Sequence, residues 1–289
     1  QHVTTIDEDL LKTGIYFDGS SIAGWKAINE SDMILMPDYN KIAMDPFAAQ
    51  PTVKIYCDVY EPSKKSDGSG GGQPYSRCPR SVAKAAVKYM STTGIGDAAF
   101  FGPEAEFFIF DDVRYTTDIG RVGYTIDSEE AAWNTGKEGP NLGHKVRHKE
   151  GYFPVPPTDV LADLRADMMT TLMSSGVEVE VGHHEVASAG QCEIGIKFGT
   201  AVTAGDLVHM YKYAVKNTCF QHGKTSTFIA SQIETLKQQI QDKENQLQAY
   251  SRRSDIVSVD PATNVTLKRL EALNQEYINS VSERINLEA

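Results

Sequence analysis

Residues 98–110 read AAFFGPEAEFFIF, and the two glutamates inside this apolar run, Glu104 and Glu106, decide how the chain is read. A β-prone run alternates its side chains between faces, so these two carboxylates share a side while Ala105 and Phe107 pack behind them. Two carboxylates on one half-buried face repel each other unless a cation neutralises them. Further along, residues 183–193 read HHEVASAGQCE and add Glu185 and Glu193. Carboxylates set among apolar residues offer hard oxygen ligands, which suit Mg²⁺ or Mn²⁺ rather than zinc. The alternative reading of an E-x-E is a solvated strand face; the flanking Phe100, Phe101, Phe107, Phe108 and Phe110 argue against it.

Composition narrows the function classes. The 289 residues carry a net charge of −11, which gives no electrostatic reason to expect nucleic acid or an anionic membrane as partner. Local acidity fits cation binding instead. Cys57, Cys78, Cys192 and Cys219 show neither metal-ligand spacing nor a disulfide framework, so free thiols in a reducing, cytoplasmic setting are expected. No apolar run approaches the roughly 18 residues of a membrane span. The N-terminus lacks signal-peptide character, and it begins with Gln rather than Met.

Residues 1–60 read as short strands and turns: IYFDGSS, MILMPD and VKIYCDVY. Lys64–Gly72 reads as a Gly/Ser loop. Cys78–Thr93 reads as a helix with Pro79 near its start and Val82, Ala86 and Tyr89 on one face. Thr117–Lys149 reads as an irregular surface excursion, and the prolines of GYFPVPP (residues 151–157) exclude regular structure there. Thr158 or Asp159 is expected to cap a helix through Leu161, Leu164, Met168 and Leu172. Val177–Val181 alternates like a strand, Ala187–Gln191 reads as a tight connection, and Asp206–Cys219 as an amphipathic helix.

Past Phe228 the character changes: residues 229–289 hold no glycine and one proline, Pro261. Ile229, Ile233, Leu236, Ile240, Leu247 and Tyr250 fall at alternating three- and four-residue steps with Lys243 the one polar interruption, an amphipathic helix with coiled-coil character. Asp260 and Pro261 open a second helix with Leu267, Leu270, Tyr277 and Val281 on its seam, so the tail is expected to form a helical hairpin.

Motifs in order along the chain carry a family resemblance. At FDGSS (17–21), NESDM (29–33), FGPEAEFF (101–108), GYFPVPP and HHEVASAGQCE, the chain resembles a bacterial-type glutamine synthetase from about Gln1 to Phe228. The resemblance implies a truncated α+β fold of that family. Residues 1–75 would be a partial β-grasp-like domain and residues 76–228 part of the catalytic α/β half-barrel, with 229–289 a foreign helical tail. It implies ligation of ammonia to glutamate through an acyl phosphate, with ATP as co-substrate and Mg²⁺ or Mn²⁺ as cofactor. It further implies a homo-oligomer of stacked rings in which the Asp18 loop is lent to a neighbour. Carried over by position, Glu106, Glu185 and Glu193 match the ligands of the metal on the glutamate side. Glu104 matches one ligand of the second metal. Asp18 matches the aspartate that binds and deprotonates ammonium, Ser21 shares its loop, and Tyr152 matches the tyrosine lining the ammonium pocket. Glu180 and Phe198 fall where the family contacts the nucleotide.

The same residues have plainer readings. Asp18-Gly19 is an ordinary turn pair, Tyr152 can fill a core gap, and Cys192 reads as a small buried filler. His183 and His184 read as hydrogen-bonded structural residues and are left out of the ligand set. The family's remaining metal ligands, arginine clamps and flap glutamate follow the GKTSTF segment (223–228) and have no counterpart here, so this chain alone is expected not to turn over. The tail resembles a periplasmic coiled-coil segment of an exopolysaccharide chain-length or export protein, and the change near Phe228–Ile229 reads as an artificial junction. The alternatives are a non-catalytic metal-binding or oligomerising remnant, an exopolysaccharide-related coiled-coil interaction module, and a chain that folds poorly.

Overall fold

A computed structural model describes residues 4–62, 72–134 and 143–228. The chain divides into two units, Gln1–Ile229 and Ala230–Ala289, the second wholly outside the described residues. The expected tail helices and most of the Lys64–Gly72 loop therefore lie outside them as well.

A short helix, α1 (Glu8–Thr13), opens the first unit, where the sequence suggested only strands and turns. Asp7 caps it, accepting from the Leu10 amide at 2.7 Å. Strands β1 (Ile15–Asp18), β2 (Asp32–Met44), β3 (Val53–Glu61) and β4 (Gln73–Pro74) then form an antiparallel sheet in that order. One small core of this sheet gathers Met33, Val59, Tyr75 and Cys78, with Phe17 and Trp25 packed against it.

Helix α2 (Pro79–Thr93) starts with the proline at its first position, as the sequence implies. Its inward side differs from expectation. Val82 and Tyr89 are 52% and 72% exposed, and Arg80, Ser81, Ala83, Val87 and Met90 are the half-buried positions instead. Spacing marks a stripe but does not say that a sheet lies against it; here the side selected is the one that brings Arg80 to the acidic groups of its neighbours.

Next come β5 (Phe100–Phe101), β6 (Phe107–Phe110) and a hairpin of β7 (Asp112–Asp118) and β8 (Arg121–Asp127). This hairpin replaces the first part of the irregular excursion read over Thr117–Lys149. Helix α3 (Ala162–Ser174), β9 (Val179–His184), β10 (Gln191–Ile196), β11 (Gly199–Thr200), helix α4 (Ala201–Gln221) and β12 (Thr225–Phe228) complete the unit. Strands β5 and β11 pair with each other, while the larger sheet runs β12-β6-β10-β9, antiparallel throughout.

The apolar stripe read through α3 is buried as expected, with Met168 and Leu172 fully covered. Its start is capped otherwise. The N-cap position falls on Leu161, and Asp159 accepts from the Leu161 amide while forming a buried ion pair with Arg165. Together α3, α4 and the inward residues of the larger sheet make the main core, which includes Phe107, Ile109, Cys192, Ile194, Tyr211 and Val215. Side chains alternate across that sheet, so the core-facing residues leave its opposite face to a different set.

Candidate metal centre

The β9–β10 hairpin builds that opposite face. Its register sets His183 against Glu193 and His184 against Cys192, while β10 pairs with β6 through Cys192 and Phe107. Cys192, Ile194 and Ile196 turn into the core, so Glu193 turns away from it. The residue before Phe107 is Glu106, and the residue after Cys192 is Glu193, so continuing this antiparallel register brings Glu106 beside Glu193. Glu104 and Glu106 themselves lie in the segment between β5 and β6 rather than on a strand.

One buried hydroxyl ties these segments together. Tyr211 of α4 donates to the carbonyl of Ala105 at 2.8 Å and accepts from the amide of Ile194 at 3.0 Å. It thus bridges the peptide between Glu104 and Glu106 to the residue following Glu193.

Ligand atoms from His183, Glu185 and Glu193 all lie within 4.8 Å of one another. His183 stands between the carboxylates, Nδ1 3.3 Å from Glu185 Oε1 and Nε2 3.8 Å from Glu193 Oε2. Burial raises the Glu193 pKa above the ordinary carboxylate range; His183 opposes that rise, and the charges of Glu185, Glu104 and Glu106 add to it. Glu106 stands outside the tight trio, where its Oε2 accepts from Gln191 Nε2 at 2.5 Å. Two carboxylates and an imidazole, Glu185 buried and the other two half-buried, short of positive charge, suit a divalent cation of the Mg²⁺ or Mn²⁺ kind.

Of the sequence-derived candidates, the structure brings Glu185, Glu193, Glu106 and Glu104 into one neighbourhood and sets Tyr152 at its border. The Tyr152 ring stacks on Phe153 at 4.0 Å and meets His183 edge-on at 5.6 Å. Asp18 and Ser21 make local bonds: the Asp18 carboxylate accepts from the Ser20 amide at 2.8 Å and from the Ser21 hydroxyl at 2.9 Å. The Ser20 and Ser21 bonds hold the Asp18 pKa below its usual value. Glu180 is the extra residue of a bulge on β9, and Phe198 meets Phe100 edge-on at 5.7 Å. Both sit at the open end of the hairpin, Glu180 about 16 Å along the strand from Glu185 at ~3.3 Å per residue.

The sequence reading takes His183 as structural, although a strand's period of two puts it on the same face as Glu185. His184, by contrast, is the structural histidine expected. It is buried, its Nε2 lies 2.6 Å from Glu130 Oε1, and its Nδ1 lies 2.7 Å from the Gly151 carbonyl. Burial disfavours its charged form, yet the Glu130 carboxylate outweighs burial and holds its pKa above the ordinary value. Cys192 is the inert filler foreseen, its thiol pushed up to about 12 by burial.

Two family models match the chain. The glutamine synthetase beta-Grasp domain matches residues 1–62, and the glutamine synthetase catalytic domain matches residues 76–239, running past Phe228. Glutamine synthetase of Azospirillum brasilense is 57% identical over 235 residues, covering 81% of this chain and 48% of the relative. That of Nostoc sp. strain PCC 7120 is 50% identical over 241 residues, covering 81% and 49%. A cryo-EM structure of Plasmodium falciparum glutamine synthetase is similar with a TM-score of 0.66 at 28% identity, over 77% of this chain and 42% of that one. The chain thus spans about half the length of the curated relatives it matches. Because the catalytic-domain match alone takes in more than half of the 289 residues, the chain belongs to the glutamine synthetase family.

Proposed function

We propose that this stretch supplies the metal-carboxylate part of an ATP-dependent glutamate–ammonia ligase site. The observation that carries this reading is the trio of His183, Glu185 and Glu193 on the open face of β9–β10, in a chain of this family. Glu106, Glu185 and Glu193 would hold the cation on the glutamate side, with His183 in the same group. Glu104 would contribute to the second, nucleotide-side cation. A divalent cation there would neutralise the carboxylates and the phosphate charge that builds up as the γ-phosphoryl group passes to glutamate.

The remaining roles belong to the chain's own residues. Tyr152, stacked on Phe153 and beside His183, would wall the ammonium pocket and exclude water from it. The Asp18 carboxylate, kept ionised by its serine bonds, would bind ammonium and take its proton, with Ser21 holding its orientation. Those bonds are all local, which supports delivery of the Asp18 loop to a neighbouring copy in a homo-oligomer. Glu180 and Phe198, at the open end of the hairpin, would face ATP. A cytoplasmic setting is part of the same proposal; no helix among the described residues is long and apolar enough to cross a membrane.

Mn²⁺ tests the reading directly. A cation that binds only the folded chain stabilises it by about 2.7 kcal/mol at a hundred times its Kd. Its addition is expected to raise Tm, and Glu185→Ala to remove the rise. A cooperatively unfolding sample indifferent to Mn²⁺ would sink the metal centre. The 289-residue chain by itself is expected to form no glutamine from glutamate, ammonia and ATP, which a coupled phosphate-release assay checks.

A further inference from the structure

We infer that Glu130 and His184 are positioning residues for the metal centre, a buried pair that sets the spacing of the Glu185 and Glu193 carboxylates. The inference rests on the metal-centre reading above. Glu130 belongs to none of the motifs, yet its side chain is fully buried. A single oxygen, Oε1, lies 2.6 Å from His184 Nε2 and also accepts from the Gly190 amide. Those two residues bracket the hairpin connection. His184 comes immediately before Glu185, and Gly190 immediately before the strand from which Glu193 projects.

The imidazole continues the linkage. Its Nδ1 faces the carbonyls of Gly151 at 2.7 Å and Glu185 at 2.8 Å. Both ring nitrogens therefore face acceptors, and one side chain fixes the start of the connection and the backbone leading into Tyr152. Behind Glu130, its own carbonyl accepts from the Val146 amide at 2.8 Å, which anchors the carboxylate's segment.

The connection has no slack to absorb a shift. A Cβ on Gly151 would come within 2.4 Å of the Glu185 carbonyl oxygen, and one on Gly190 within 2.4 Å of that of Ile109. A buried carboxylate is a costly way to hold a turn, since well-packed apolar residues often do as well. Glu130 Oε2 adds to the cost by having no hydrogen-bond partner among the described residues. What an apolar filler lacks is direction: it cannot pin both ends of the ligand-bearing connection through one point. Outer groups that orient metal ligands typically change affinity about 10–100-fold when removed.

The test is Mn²⁺ titration of the whole 289-residue chain, followed by the EPR signal of free Mn²⁺, alongside thermal unfolding in chelator. Glu130→Gln keeps the shape and loses the charge; Glu130→Asp keeps the charge and withdraws it by one methylene. Each is expected to weaken Mn²⁺ binding about 10–100-fold in protein that still unfolds cooperatively. A role in stability alone would lower Tm and leave the affinity of the folded fraction unchanged, and that result overturns the inference. Should Glu130→Gln fail to fold, Glu130→Asp decides; if neither folds, the pair is a core element only and the inference falls. Absence of Mn²⁺ binding by the unsubstituted chain removes the metal centre and this inference together. Tight binding by that chain, matched by both variants, removes only this one.

Discussion

Two acidic clusters in this chain have opposite electrostatic solutions. At the first, Asp38 of β2, Asp58 of β3 and Asp206 of α4 converge on Arg80 of α2, with Lys84 also paired to Asp58. The guanidinium donates to Asp58 at 2.5 Å and to both Asp206 oxygens at 3.1 Å. At the second, Glu185 and Glu193 share only His183, with Glu104 and Glu106 close enough to be felt. Among the described residues, no ion pair joins a lysine or arginine to any of these four glutamates. An internal cation closes the first cluster and makes it a joint between the N-terminal sheet and the helices. The second has no such cation among the described residues. Acidic residues alone therefore do not mark a site; the fixed cation is what separates the two clusters.

Substitutions can break that contrast. The largest effect expected is at the closed cluster, where Arg80→Ala leaves three aspartates without their shared partner. Removing one side of a buried pair typically costs about 3–5 kcal/mol, which denaturant unfolding would read, and the Mn²⁺ response of the folded protein should survive. Glu193→Gln should act with the opposite sign. Removing a charge disfavoured by burial and by its like-charged neighbours is expected to stabilise the metal-free protein by about 0.5–2 kcal/mol while abolishing the Mn²⁺-dependent rise in Tm. Equal destabilisation by both substitutions would erase the distinction.

Acid sharpens it further. The Arg80 hydrogen bond holds the Asp38 pKa below its ordinary 3.8 in the folded chain. Such a group stabilises the fold above its unfolded pKa, and that share is lost as pH falls through the lower folded value. The stability gap between wild type and Arg80→Ala should therefore narrow below about pH 4, measured by unfolding at pH 5 and pH 3. The smallest effect is on the far side of the same helix: Tyr89→Ser should change stability by no more than about 0.5 kcal/mol. A larger loss would mean that the apolar face read from spacing is the one that packs.

Legibility followed the range of the interactions involved. Leu164, Met168 and Leu172 were readable because a helix repeats its buried side within a few residues, and that stripe is buried. On α2 the same logic picked Val82 and Tyr89, while the half-buried side follows Arg80 and its distant aspartates. The hairpin over residues 112–127 was obscured by a polar, Gly-containing sequence whose side chains are largely exposed. Glu185 and Glu193 were visible as charges among apolar neighbours; His183 was not included, although alternation alone puts it on their face. Glu130 had no local signal, because its partner His184 lies 54 residues away in sequence.

By itself, the sequence determined the apolar periodicities, the proline and glycine breaks, the four glutamates set among apolar neighbours and the family to which the chain belongs. These are local properties, set by the geometry of one helix turn or one strand pair. Tertiary structure alone decided that His183 stands between two carboxylates, that Arg80 closes one acidic cluster, and that Glu130 bonds to both sides of the connection between β9 and β10. Each depends on residues brought together from distant parts of the chain. The worth of a charge is set by the partner that burial brings to it, and a linear pattern carries no record of that partner.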